Sequence, residues 1–195
     1  FRKNGTTMPG TDNSWELVMT DSTYGYSNNG IAVDPTSSRV VVSTLLPWAG
    51  DTTGETGSDI FWWESPTGNS GTWVQHNLTN LTTTSINRPW MEGLPFFDSQ
   101  GDLHIVFNAT YYTGVAPYDL AGSIVCRGFH WYETEPTRFS VLYDATWSPG
   151  TTCGRNGYNT QNIGMFAMGE CENKLYVVFS SANDPEYVPL EDLGD

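Results

Sequence analysis

The stretch Gly30-Ile-Ala-Val-Asp-Pro-Thr-Ser-Ser-Arg-Val-Val-Val-Ser-Thr-Leu-Leu46 decides the fold. A short apolar segment, a polar turn with Asp and Pro, and a run of β-branched residues follow one another, which is typical of a β-hairpin. Segments 93–107 and 164–179 repeat this layout at intervals of about 65 to 70 residues. The interval indicates a supersecondary unit that is repeated in tandem.

A second module lies between these hairpins. Residues 59–65 match 128–134, because both contain paired aromatic residues followed by Glu. Each is followed by one more extended segment, at 72–78 and at 138–143, and 14–19 resembles that last segment. The repeated unit therefore contains four strands, which we name A to D in chain order.

Four antiparallel strands repeated in tandem predict an all-β protein, and a β-propeller in preference to a sandwich or a barrel. The predicted blades span 30–79 and 93–144. An outer strand of a preceding blade is predicted at 14–20, and the first half of a further blade at 163–195. Since a propeller needs roughly four to eight blades, we expect further chain segments or other subunits to close the ring.

The side-chain pattern within the unit predicts how the strands pack. Strand A carries apolar and small residues, which is typical of an innermost strand packed on both faces. Strand B of the second blade alternates, with Leu103, Ile105 and Phe107 on one face and His104, Val106 and Asn108 on the other. Glu64 and Glu133 occupy equivalent positions in two C strands, which favours an architectural role over a catalytic one.

The turn between strands C and D of the first blade carries a motif. Within Ser65-Pro-Thr-Gly-Asn-Ser-Gly-Thr-Trp73, the pattern Thr67-x-Asn69-x-Gly71-Thr72-Trp73 resembles the Asp-box turn of sialidase-like (BNR-repeat) propellers. In that family the box reads Ser-x-Asp-x-Gly-x-Thr-Trp, so this copy has Asn for Asp and is one residue shorter. The resemblance implies a propeller in which Gly takes the left-handed position and Trp packs between blades.

Charge and hydropathy exclude several partners. The chain has 8 Lys plus Arg against 22 Asp plus Glu, for a net charge of −14. Nucleic acids and anionic membrane surfaces both require a basic footprint, so neither is an expected partner. No apolar run is long enough for membrane insertion.

Several features favour an extracellular glycoprotein. Asn-x-Thr sequons, which accept N-linked glycans in the secretory pathway, occur at Asn4, Asn77, Asn80 and Asn108. Three Cys are present. Cys126 and Cys153 are expected on one rim of the sheets and are the predicted disulfide, while Cys171 is expected on the opposite rim.

Because strands alternate in direction, the loop that enters strand A and the loop from B to C share one rim. The propeller resemblance implies that this rim is the functional face. The residues predicted there are Trp48, Arg88, Trp90, Glu92, Tyr111, Tyr112, Tyr118, Asp119, Arg155 and Tyr158. Aromatic faces beside a few charged groups are typical of carbohydrate binding, and we expect the ligand contacts at Trp48, Arg88, Trp90, Tyr111, Tyr112 and Tyr158.

Two functions from different classes remain open. The first is a non-catalytic extracellular module that binds a glycan or a protein within a larger assembly. The second is a carbohydrate-active enzyme, a sialidase-like glycosidase or a polysaccharide lyase, whose site is completed by further blades. The catalytic candidates would be Glu92 and Asp119 as acid or base, with Arg88 and Arg155 as substrate ligands. For a lyase, His104 or His130 is the further candidate.

Cofactor signals are weak. The segment Asp98-Ser-Gln-Gly-Asp102 resembles a calcium loop in composition but has the length of a hairpin turn, and we interpret it as a turn. The Cys spacing does not match a zinc site, and no phosphate loop or nucleotide fingerprint occurs. No cofactor is therefore predicted, and a structural calcium ion at the 98–102 loop is the weaker alternative.

Overall fold

A computed structural model describes residues 2–3, 15–19, 29–50, 58–111, 125–146 and 163–181. Every regular element in these ranges is a β-strand. The strands are β1 (Arg2–Lys3), β2 (Trp15–Glu16), β3 (Gly30–Val33), β4 (Val40–Pro47), β5 (Ser58–Ser65), β6 (Val74–Asn77), β7 (Asn87–Phe97), β8 (Leu103–Tyr111), β9 (Val125–Tyr132), β10 (Phe139–Thr146), β11 (Ile163–Cys171) and β12 (Lys174–Ser181). The prediction of an all-β fold is confirmed.

The strands form antiparallel sheets in which chain neighbours are also spatial neighbours. Sheet I has the order β3-β4-β5-β6 and sheet II the order β7-β8-β9-β10, so both follow the predicted order from A to D. Sheet III is the β11–β12 hairpin. Within the strand predicted at 14–20, the structure has the shorter strand β2, which pairs with β1. Among the described residues no sheet closes into a barrel.

The turns that join the first two strands of each sheet form one rim of the molecule, which we call the hairpin rim (residues 34–39, 98–102 and 172–173). The Asp34 carboxylate accepts hydrogen bonds from the backbone N–H and the hydroxyl of Thr36. The Asp98 carboxylate likewise accepts from the N–H groups of Gln100 and Asp102. Both carboxylates are thus used to shape turns, as the turn interpretation of 98–102 requires.

The main core lies between sheets I and II. Strand β8 contributes its predicted apolar face, Leu103, Ile105 and Phe107, and each of these is buried. They pack with Val41, Leu45 and Ile60 of sheet I and with Phe97, Ala109, Phe129 and Trp131 of sheet II. A smaller cluster, centred on Val106 and Phe166, lies between sheets II and III. Val106 is on the opposite face of β8, so the predicted alternation is confirmed.

Strand β7 begins at Asn87, well before the start of the second blade predicted at 93. Its first residues pair with the end of β8, Asn87 with Tyr111 and Arg88 with Thr110. A bulge between Pro89 and Gly93 then shifts the register. The expectation that Arg88, Trp90 and Glu92 lie in a loop is therefore wrong. It arose because Pro and charged residues are uncommon within strands, so the sequence pattern did not indicate one here.

The turn that resembles an Asp box is tied by hydroxyl groups. Ser65 Oγ accepts hydrogen bonds from the N–H of Gly68 at 2.7 Å and of Thr67 at 3.3 Å. Thr72 Oγ1 lies 2.6 Å from Ser65 Oγ and donates to the Asn69 carbonyl. Gly71 has φ 77°, the left-handed conformation that the motif predicts.

Candidate functional site

An open cleft of about 410 Å³ lies between sheet II and the connector that joins β6 to β7 (residues 78–86). Its apolar side is formed by Phe107, Phe129 and Phe139, which come from three adjacent strands. Its other side is formed by Thr79, Leu81, Thr84, Ser85, Ile86 and Asn87. We call this the inter-sheet cleft. Because its lining combines aromatic rings with hydroxyl and amide groups and carries no charge, it suits a neutral ligand.

The aromatic wall is formed by rings in direct contact. The Phe107 and Phe129 rings stack with centroids 5.4 Å apart, and Phe139 meets Phe107 edge to face at 5.9 Å. Phe107 and Phe129 are buried, whereas Phe139 is exposed. Phe139 therefore offers the most accessible ring of the cleft, and its contact with Phe107 helps to position it.

The buried Arg88 side chain holds the connector in place through hydrogen bonds to its carbonyl groups. The side chain is 1% exposed and donates hydrogen bonds from Nε to the Ser85 carbonyl and from Nη2 to the Thr82 carbonyl. The same turn is closed by a hydrogen bond from the Ser85 N–H to the Thr82 carbonyl. The guanidinium also lies over the Trp48 ring, 4.9 Å from its centroid. Arg88 and Trp48, both predicted to contact the ligand, are buried and hold the cleft wall in place.

Glu92 lies in the β7 bulge and joins sheet II to sheet III. Its carboxylate accepts hydrogen bonds from the backbone N–H of Met165 at 2.7 Å and of Phe166 at 3.1 Å. Its own N–H donates to Asn108 Oδ1. Burial raises the pKa of Glu92, although the two N–H donors act in the opposite direction. Both carboxylate oxygens thus serve to anchor β11.

The repeated carboxylates of the C strands meet at the hairpin rim. Arg39 binds Glu64 through Nε at 2.8 Å and binds Glu133 through Nη2 at 2.6 Å. Glu133 also accepts a hydrogen bond from the Leu103 N–H. Burial raises the pKa of Glu133, but the hydrogen bonds from Arg39 and Leu103 outweigh it and lower the pKa overall. This bridge links two sheets, which is the architectural role that the repetition predicts.

The two histidines considered for lyase chemistry form a pair on the face of sheet II that points towards sheet III. His104 Nδ1 lies 2.8 Å from His130 Nε2, and His104 Nε2 lies 3.4 Å from Asp98 Oδ2. The Tyr132 ring stacks on His104 at 4.4 Å, and its hydroxyl donates to Asp102. Burial and the neighbouring His104 lower the pKa of His130. His104 is itself buried, so the pair belongs to the packing of the sheet.

The remaining predicted rim residues are only partly described. Trp90 lies within β7, and Tyr111 is the last residue of β8. Cys126, in β9, pairs with Thr110. Several predicted positions lie outside the described residues, namely Asn4, Tyr112, Tyr118, Asp119, Cys153, Arg155 and Tyr158. The Cys126–Cys153 disulfide therefore stays a prediction, and Cys171 is an exposed free thiol.

Three of the predicted sequons lie among the described residues, and they differ in exposure and in hydrogen bonding. Asn80 is exposed at the start of the connector. Asn77 is exposed too, but it donates from Nδ2 to Asp59 and accepts at Oδ1 from the Asn80 N–H. Asn108 is 1% exposed and bonded to Glu92, so the folded chain has no space for a glycan there. Of these three, Asn80 is the sequon best placed to carry a glycan.

The cleft itself was missed by sequence reasoning. Its aromatic residues are far apart in the chain and meet only through the pairing of β8, β9 and β10. The one available signal was the strand pattern, which places Phe107 on the face towards sheet I. In the part of the chain that the structure describes, no cluster of His, Cys, Asp or Glu is suited to a metal ion. Nor do those residues contain a helix that could cross a membrane.

No family model, curated protein or solved structure matches this chain.

Proposed function

We propose that this chain is a segment of a secreted, glycosylated β-propeller with a non-catalytic recognition role, and that the inter-sheet cleft binds a neutral glycan. The observation that carries the proposal is the cleft itself. It offers the exposed ring of Phe139 for stacking, with the hydroxyls of Thr84 and Ser85 nearby. Sugars are recognised by this combination of an aromatic face and a few polar groups.

Propeller architecture is supported by the way the sheets stack. Strand β7 packs against sheet I, and β11 packs against sheet II, so each first strand lies on the sheet that precedes it. Sheets I and II have the same strand order, as consecutive blades would. Further repeat units, from a longer chain or from other subunits, would complete the ring. Secretion is supported by the exposed sequon at Asn80 and by the low Lys and Arg content.

Binding to a glycan array, followed by titration of the best ligand, tests this function. Phe139→Ala is expected to weaken the affinity about three- to tenfold, because the stacking face is lost. Val141→Ala is the matched control, since Val141 is exposed on the same strand but does not line the cleft. Equal affinity of both variants for the ligand would show that the glycan does not bind in the inter-sheet cleft.

The enzymatic alternative rests on Glu92, a half-buried carboxyl with a raised pKa. Its engagement with two backbone N–H groups favours the recognition role instead. Turnover of an acidic sugar by the purified chain, lost in Glu92→Gln and accompanied by no glycan binding, would overturn the recognition proposal.

A further inference from the structure

The inter-sheet cleft contains one amide side chain, Asn87, and the structure determines which way its amide is turned. Asn87 is the first residue of β7 and lines the cleft. Its Oδ1 accepts a hydrogen bond from Nη1 of Arg127 at 3.2 Å. Because a guanidinium can only donate, the amide oxygen faces Arg127 and the Nδ2 group lies on the other edge of the amide plane.

The Nδ2 group of Asn87 is open to a ligand. In the part of the chain that the structure describes, no acceptor binds it. The residue is half-buried, so the donor is sheltered by the cleft without being sealed from solvent. Since Arg127 holds the amide in one orientation, a ligand finds this donor already positioned.

The other polar side chains of the cleft already have partners. The Thr79 hydroxyl donates to Asp59 at 2.6 Å. The Ser85 hydroxyl accepts from the Thr82 N–H at 3.0 Å, and Thr84 Oγ1 lies 3.0 Å from Thr82 Oγ1. Among the described lining residues, the amide nitrogen is therefore the donor that a ligand can use without competing with a hydrogen bond inside the protein.

The surface beside this donor is apolar. Ile86 precedes Asn87 in the chain, lines the cleft and is 51% exposed. Leu81, Phe107 and Phe129 continue the same lining. A sugar hydroxyl placed against these side chains loses water without gaining a partner, which opposes binding. The cleft therefore favours a ligand group that joins an oxygen acceptor to an apolar substituent.

An acetamido group has this composition. Its carbonyl oxygen accepts hydrogen bonds, its methyl group is apolar, and its N–H can donate to a hydroxyl such as that of Thr84. It also carries no charge. The net charge of −14 therefore does not oppose the binding of a neutral N-acetylated sugar, as it opposes that of an acidic one.

We propose that the inter-sheet cleft recognises an N-acetylated sugar and that Asn87 is the residue that selects it. Asn87 Nδ2 donates to the acetamido carbonyl oxygen, and the methyl group packs on the apolar lining. Arg127 is a positioning residue, because it binds the amide of Asn87 and does not itself line the cleft. The inference rests on the proposed function, since it names the class of glycan that the same cleft binds.

Titration of the intact chain with matched oligosaccharides tests the selection. Chitotriose and cellotriose share one backbone and differ in the acetamido group that replaces a hydroxyl on each ring. N-acetyllactosamine and lactose form a second pair of the same kind. We expect the acetylated member of a pair to bind about tenfold more tightly, which is the gain from one additional hydrogen bond.

The results distinguish this inference from the proposed function. Glycans without the acetamido group that bind with equal or higher affinity would overturn the inference and leave the cleft as a neutral-glycan site. Failure of the chain to bind any neutral glycan would overturn the proposed function and the inference with it.

Asn87→Asp tests the residue directly. Aspartate keeps the size of the side chain and can still accept from Arg127, but it has no N–H to donate. The variant is expected to lose the tenfold preference while its affinity for cellotriose is unchanged. Asn173→Asp is the matched control, since it adds the same charge at an exposed turn outside the cleft. A preference that persists in Asn87→Asp would show that Asn87 does not select the ligand.

Two variants of Arg127 test its positioning role. Arg127→Met leaves the amide of Asn87 free to rotate and should reduce the preference for the acetylated sugar. Arg127→Lys keeps a donor for Oδ1 and should restore part of that preference. A purely structural role would instead lower the affinity for both members of a pair equally, and that result would refute the positioning role. Circular dichroism of each variant checks the fold.

Discussion

The boundary between sheets I and II differs in kind from the boundary between sheets II and III. The first contains a continuous apolar core with fully buried Leu45, Ile60 and Ile105, and Arg39 bridges it. The second contains a smaller apolar cluster around Phe166. It also depends on hydrogen bonds that Glu92 accepts from β11.

The two boundaries show that different interactions determine the stability of a sheet contact and its alignment. Apolar burial contributes free energy in proportion to area but sets no unique alignment, whereas hydrogen bonds to particular N–H groups fix which residues face each other. The first boundary should therefore dominate the free energy of unfolding. The second should open locally at a smaller cost, because β11 and β12 bury few side chains completely.

The largest effect should come from the core of the first boundary. Ile105→Ala is expected to lower the free energy of unfolding by about 2 to 5 kcal/mol, because it leaves a cavity at a fully buried site. Met168→Ala at the second boundary should cost less, since Met168 is only half-buried. Urea denaturation of both variants measures the difference, and equal losses would contradict the comparison.

A smaller effect is expected from the polar bridges at the two boundaries. Arg39→Met leaves Glu64 and Glu133 together without their cation and should cost about 1 to 3 kcal/mol. Glu170→Gln, which weakens the exposed hydrogen bonds to Ser99, should cost less than about 1 kcal/mol. Chemical denaturation at neutral pH compares the two.

The Arg39 effect should depend on pH in a defined direction. The pKa of Glu133 lies below its usual value of 4.5 in the folded chain, so its contribution to stability is present above about pH 4.5. It is lost as the pH falls through the folded pKa. The difference in the free energy of unfolding between wild type and Arg39→Met should therefore become smaller below pH 4.5. A difference that does not change with pH would show that the ion pair of Arg39 with Glu133 does not contribute to stability.

The smallest predicted effect concerns the histidine pair beside the second boundary. Because the pKa of His130 is lowered in the fold, the neutral ring is favoured and stability should decrease as the pH falls below about 6.5. His130→Gln should reduce this acid dependence. His76→Gln is the control, since His76 stacks on Trp62 within sheet I. Unfolding curves at pH 7.5 and 5.5 decide between them, and an unchanged dependence in His130→Gln would contradict the assignment.

Glu92 must be considered in the same experiment because its pKa shift has the opposite sign. Its raised pKa means that protonation favours the fold as the pH falls towards that value. Comparing each variant with wild type at both pH values cancels this contribution. The measured difference then reports on His130.

Local patterns predicted the strands more successfully than the site. Alternation along 103–108 assigned both faces of β8 correctly, since period-two patterning depends only on neighbouring residues. The start of β7 was missed because Pro89 and Arg88 argue against a strand, while pairing with β8 across a bulge overrides that preference. Arg88 was expected at the surface because isolated Arg is rarely buried, but connector carbonyls and the Trp48 ring stabilise it there.

The sequence by itself determined the all-β class, the four-strand repeat and the hairpin turns, because each follows from residues that are close in the chain. Only the tertiary structure decided that Glu64 and Glu133 share Arg39, and that Phe107, Phe129 and Phe139 form one wall of a cleft. It also decided which apolar side chains remain exposed at the ends of the stack. These features depend on how sheets pack face to face, and that packing joins residues whose separation in sequence carries no local signal.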